Sequence, residues 1–176
     1  MSALRIPVSS EDHAEGPADA PVTLVEYGDY ECPHCSVAFA IVPRVQKQFG
    51  ERLRFVFRNF PLTKIHPEAE PAAETAEFAG SLGKFWPMHD QLFENQIELG
   101  LPLYEELVRN LDLDPGALTQ ALENGTFTER VRTDFSGGVR CGVNGTPTFF
   151  INGERHDGPF DYDTLVAAIE AAMSKA

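Results

Sequence analysis

The 176 residues are 43% hydrophobic and include 13 Phe, enough for one domain whose core needs no disulfide scaffold. Against 27 acidic side chains stand only 14 basic ones, and the net charge of −13 repels phosphate backbones and anionic lipid. Nucleic acid is therefore excluded as an expected partner; so is membrane insertion, because no run of 18 apolar residues occurs, and three Cys are too few and too odd for a stapled mini-protein.

Residues 1–19 read as an N-terminal extension to a domain covering 20–176. The opening MSALRIPVSSEDHAEGPADA has no basic stretch leading into an apolar one, so a cytoplasmic protein is expected, or a periplasmic one if a leader has been removed. Val22 to Tyr27 is a strand by its β-branched and aromatic content, ended by Gly28. Its period of two sets Val22, Leu24 and Glu26 on one face and Thr23, Val25 and Tyr27 on the other. Next comes Cys32-Pro33-His34-Cys35. Pro33 suits the first position of a helix, and Ala38, Ile41, Val42, Val45 and Phe49 follow at helical spacing up to Gly50, a C-cap. Pro43 lies inside this pattern and is expected to kink it.

Leu53 to Phe60 alternates as a second strand. From Pro67 to about Val139 the pattern is helical, broken near Gly80–Gly83, Gly100–Pro102 and Asp112–Pro115. Asp114-Pro115 reads as an N-cap and first helical residue, and Thr126-x-x-Glu129 as a capping box. A block of this length is too long for a loop, so it is an inserted helical subdomain, about 66–139. "TPTFFING" is a third strand closing on the hairpin turn Asn152-Gly153, with "ERHDG" returning, and the last helix runs from about Asp163 to Met173. Strand, helix and strand imply a parallel pair with a right-handed crossover, and the late hairpin adds antiparallel strands. The fold class is α/β.

Cys-x-x-Cys alone admits a zinc half-site, a structural disulfide or a redox pair. Zinc needs four ligands, and His66, His89 and His156 show no paired ligand spacing that would join Cys141 to the pair. A disulfide over so short a loop removes little unfolded-chain entropy. The redox reading is chemically direct, because a thiol at a helix N-terminus sits among free N–H groups at the positive dipole end, and the thiolate is the reactive form. On the redox reading Cys32 is expected to be the attacking thiol, and Cys35, one turn in, the more buried resolving one. His34 adds stabilisation to the Cys32 thiolate if protonated or donating. Glu26 is either a buried acid that handles the Cys35 proton or a solvated or salt-bridged acid at a strand end. Cys141 reads as a filler thiol, Phe149 and Phe150 as core, Trp86 as packing, and His66 and His89 as ordinary histidines.

Three segments in order, "VEYGDYECPHC", the helical block and "NGTPTFFING", make the chain from Ala20 to Met173 resemble the DsbA-like thiol-disulfide oxidoreductases of the thioredoxin superfamily. The resemblance implies a thioredoxin-like fold with a helical insertion and a cis Thr146-Pro147 bond facing the cysteines. It also implies that the Thr146 backbone pairs with substrate peptide, that an acid near the buried cysteine falls on Glu26, and that neither metal nor organic cofactor is needed. The expected activity is exchange of the Cys32–Cys35 dithiol or disulfide with thiol- or disulfide-containing protein substrates, or with glutathione or a reductase, as reductase, isomerase or oxidase. Two other classes remain open: a peptide-binding chaperone-like module without turnover, and a fusion-derived or partner-bound domain sensing redox state at a transport protein.

Overall fold

The computed structural model describes residues 2–176. In chain order the elements are β1 (His13–Glu15), β2 (Val22–Gly28), α1 (Pro33–Phe49), β3 (Leu53–Asn59), α2 (Ala69–Ser81), α3 (Phe85–Glu94), α4 (Leu101–Asn110), α5 (Pro115–Asn124), α6 (Thr128–Arg140), β4 (Thr148–Ile151), β5 (Glu154–His156) and α7 (Tyr162–Lys175). One sheet holds all five strands in the order β1-β3-β2-β4-β5. The central pair β2 and β3 is parallel, from Val22 opposite Leu53 to Gly28 opposite Asn59. β4 joins β2 antiparallel, Leu24 opposite Ile151, and β5 folds back on β4 through Asn152 and Gly153. Both turn residues have positive φ, 47° and 84°, as a type I′ hairpin demands.

The period-two reading of β2 separates two cores. Val22 and Leu24 face α1, α7 and the insertion, packing with Ala38, Val42, Val45, Phe49, Leu165 and Ile169. Val25 and Tyr27 face the other way, with Val56, Phe60, Cys141, Val143 and Phe150. Because both faces are covered, the strands alternate between two apolar sets rather than between apolar and polar. Among the described residues no helix is long and apolar enough to cross a membrane.

Two local features differ from expectation. Residues 13–15, within the stretch read as an extension, form edge strand β1 antiparallel to β3. The N-terminal Leu4, Ile6 and Val8 pack on the second core, and Asp12 forms a buried ion pair with Arg58 at 2.8 Å. Three residues reading His-Ala-Glu carry no periodicity, so nothing local announces this strand. The capping box at Thr126 does not form: α5 ends on left-handed Gly125 (φ 62°), the chain needs residues 126 and 127 to turn, and α6 begins at Thr128, whose hydroxyl donates to Glu74 at 2.8 Å. Pro43 sits on the exposed side of α1, and the helix is continuous through it. By contrast Asp114 caps α5 with its carboxylate accepting from Gly116 N–H, one residue before Pro115.

Candidate active site

The parallel β2–β3 pair delivers the chain from β2 into α1 at one end of the sheet. Cys32 is the N-cap of α1, with extended backbone (φ −72°, ψ 123°), and Pro33 takes the first helical position. No side chain caps this helix end, so its free N–H groups are available to the Cys32 sulfur. The thiol is 4% exposed and its pKa is lowered to about 5. The hydrogen bond from the Cys35 thiol lowers it most. Burial opposes this, and the Thr146 side chain and the backbone N–H groups of Cys35 and His34 lower it further.

Cys35 lies directly inside, 0% exposed, and receives the Asp29 N–H at 3.4 Å. Burial pushes its pKa well above the ordinary thiol value, and the charges of Glu26 and Cys32 push the same way. Two identical side chains one helical turn apart therefore hold opposite protonation states at neutral pH.

Across from Cys32 the Thr146–Pro147 bond is cis, and the Thr146 carbonyl lies 3.5 Å from the Cys32 sulfur. The Thr146 hydroxyl is buried and has no hydrogen-bond partner among the described residues, leaving the nearby Cys32 sulfur as the group it can serve. His34 is exposed; its backbone N–H reaches Cys32, while its ring forms no hydrogen bond among the described residues. Pro33 is exposed beside it.

Glu26 points into the first core at 3% exposure, and no side chain hydrogen-bonds its carboxyl among the described residues. Burial, then the charge of Cys32, raises its pKa to about 8. A solvated or salt-bridged acid at a strand end does not describe it. Cys141 lies in the second core on the other face of the sheet, accepting the Arg5 N–H at 3.2 Å, and cannot complete a ligand set with Cys32 and Cys35.

Further contacts come from the insertion and carry no signal in the spacing of the sequence. The Gln96 amide donates to the Tyr30 carbonyl at 2.8 Å and to the Cys32 carbonyl at 2.9 Å. Asp29 accepts from Leu62 N–H and pairs with His66 at 2.8 Å, while Glu31 accepts the Glu68 N–H at 2.7 Å. The fully buried Tyr30 hydroxyl meets His89 Nδ1 at 2.9 Å. The two histidines that read as ordinary in sequence thus brace the residues just ahead of Cys32.

A family model described as Thioredoxin matches residues 9–171. The oxidised form of BdbD from Bacillus subtilis is 29% identical and superposes with a TM-score of 0.85 over 93% of each chain. Alpha-DsbA1 from Wolbachia pipientis, 19% identical, shares the fold at a TM-score of 0.85 over 99% of this chain and 97% of that one. A protein named Na(+)/H(+) antiporter NhaA 1, from Salinispora arenicola, is 42% identical over 97% of this chain but only 26% of its own length. The chain spans about a quarter of the length of the curated relatives it matches. On fold, motif and match together, the chain belongs to the thioredoxin family and shares the fold of the DsbA-type proteins.

Proposed function

We propose that the protein exchanges disulfides with protein or small-thiol substrates through a mixed disulfide on Cys32. In the reducing direction the Cys32 thiolate attacks a substrate disulfide, forming the Cys32–substrate bond and expelling one substrate thiolate. Cys35 then loses its proton to Glu26 and attacks the Cys32 sulfur, closing the Cys32–Cys35 disulfide and releasing the second substrate thiolate. Two electrons pass from the pair to the substrate; the reverse sequence oxidises a substrate dithiol. Thr146 and Pro147 line the site where the substrate backbone docks, and Pro33 and His34 shape the rim. No metal or organic cofactor enters any step. In a cytoplasmic setting glutathione or a reductase would reset the pair, and the compartment's poise sets the direction.

The observation that carries this reading is the low-pKa thiol at the N-terminus of α1 with a protonated, fully buried thiol one turn beneath it. The test is trapping. Cys35→Ala keeps the attacking thiol and loses the resolving one, so mixed disulfides should accumulate on non-reducing gels and be absent from Cys32→Ala. Equal trapping by both variants, or trapping by Cys32→Ala alone, would overturn the assignment.

A second reading is favoured by one finding: the 42% identical antiporter of which this chain spans 26%. On it, the pair reports redox state to a transport protein. Binding to an antiporter domain should then differ between oxidised and reduced protein, and a Cys32→Ser, Cys35→Ser double variant should bind independently of oxidant. Redox-independent binding by the parent protein would remove this reading.

A further inference from the structure

The exchange chemistry leaves a proton to be accounted for. At neutral pH the Glu26 carboxyl already holds its own proton, so before it can accept one from Cys35 that proton must leave. Among the described residues the carboxyl has no hydrogen-bond partner through which it could go, and β2 is covered on both faces.

A cavity of about 30 Å³ touches Glu26 and runs between α1, α3 and β1. Its walls are Phe39, Val42, Phe55, Trp86 and Phe93; its polar groups are Glu26, His89, Asp90, Glu15 and Gln46. That exceeds the roughly 10–15 Å³ a cavity needs to admit a water molecule, and the polar groups are numerous enough to hold one. Glu15 and Asp90 are exposed, so the polar path ends at the surface.

His89 fixes the inner end. Tyr30 has no other acceptor among the described residues, so its hydroxyl donates to Nδ1 and the ring carries its proton on Nε2. Burial, with a smaller contribution from His13, depresses the ring's pKa to about 3, and it stays a neutral donor throughout the cycle. At the outer end burial, with the charges of Glu15 and Glu94, raises Asp90 to about 6, close enough to neutrality to take and release a proton readily.

We propose that this water-sized passage is the route by which the Glu26 proton reaches solvent, with Asp90 as the outer acceptor and His89 as the donor that orients the intervening water. The groups facing Glu26 are then Cys32 at the N-cap of α1, Cys35 and Gln46 from α1, His89 and Asp90 from α3, and Glu15 from β1. Each cycle moves one proton from Cys35 to Glu26 after one has gone from Glu26 through the water to Asp90 and out, so no charge accumulates in the core.

The inference rests on the exchange reading, and the test keeps the two apart. Cys32 is loaded with a chromogenic aryl thiol as a mixed disulfide, and its release by Cys35 is followed by stopped flow at neutral pH. Asp90→Asn removes the outer acceptor from an exposed site, and Val42→Leu adds a carbon to the wall of the passage. Each should slow release by about tenfold, the lower range for lost acid–base assistance, and leave the Cys32 titration where it is. In a Glu26→Gln background neither change should slow release further. If both variants release at the parent rate, or slow the Glu26→Gln protein as much as the parent, the passage is not the route. A protein whose Cys32 never accepts the aryl thiol loses the exchange reading itself, and the passage with it.

Discussion

Cys32 and Cys35 differ only in what surrounds them. The first has the N–H groups of a helix start, a neighbouring thiol proton and the Thr146 hydroxyl; the second has a closed core and an acid. Among these supports the Thr146 hydroxyl can be removed at nearly constant volume. Thr146→Val should raise the Cys32 pKa from about 5 by roughly one to two units, the scale of one lost hydrogen bond to a charged group. The reduction potential should become more reducing in step, because the thiolate form is what the hydroxyl stabilises. An unchanged titration in Thr146→Val would show that the hydroxyl does not reach the sulfur. Cys32 was legible because Pro33 marks where a helix begins, and Glu26 because the period of two places it on the core-facing side with Val22 and Leu24. Gln96, His66, His89 and Asp90 were not legible, since their partners lie 37 or more positions away or across a cavity that no local pattern describes.

At the scale of elements, the insertion is fastened to the loop ahead of Cys32 from four residues, Gln96, His66, His89 and the N–H of Glu68. Gln96→Leu removes two hydrogen bonds to carbonyls and should cost about 1–3 kcal/mol of stability, at 0.5–1.5 kcal/mol each. Denaturant unfolding measures it, and a loss under a few tenths would mean that water replaces the amide without cost. The opposite face predicts the contrary outcome. Cys141 sits across the sheet from the pair, so Cys141→Ser should leave the rate of insulin reduction within about a factor of two. A larger loss would make Cys141 a third redox partner. Helices α1 and α5 and the hairpin could be read from proline, Asp-Pro and Asn-Gly signals, each of which acts within a few residues, and α7 from its apolar period. β1 could not, because a three-residue edge strand is specified by β3 and by the Asp12–Arg58 ion pair rather than by its own residues. The capping box at Thr126 failed for a related reason: a turn set by the preceding helix took the residues it needed.

For the whole molecule, the two redox forms differ in stability with pH. The Cys32 pKa falls from an unfolded value of 9.0 to about 5 in the folded dithiol form. A depressed pKa stabilises the folded state fully above the unfolded value, and the benefit fades as pH falls through the folded one. Glu26 acts in the other direction: raised from 4.5 to about 8, it costs stability increasingly as pH climbs across that range. Burial is the larger cause of that rise and is common to both forms, so most of it cancels in the difference. The advantage of reduced over oxidised protein should therefore grow between about pH 5 and pH 9 by at most ~1.4 kcal/mol per unit. Paired denaturant titrations of the two forms check this, and a difference flat across the range would remove the thiolate as its source. All of these expectations depend on Cys32 being a thiolate at neutral pH, and thiolate absorbance in the ultraviolet reads that state directly. Titrating the reduced protein against a Cys32→Ala control should give a transition centred at about 5 that the control lacks. A Cys32 that titrates near its unfolded value of 9.0 would contradict the account.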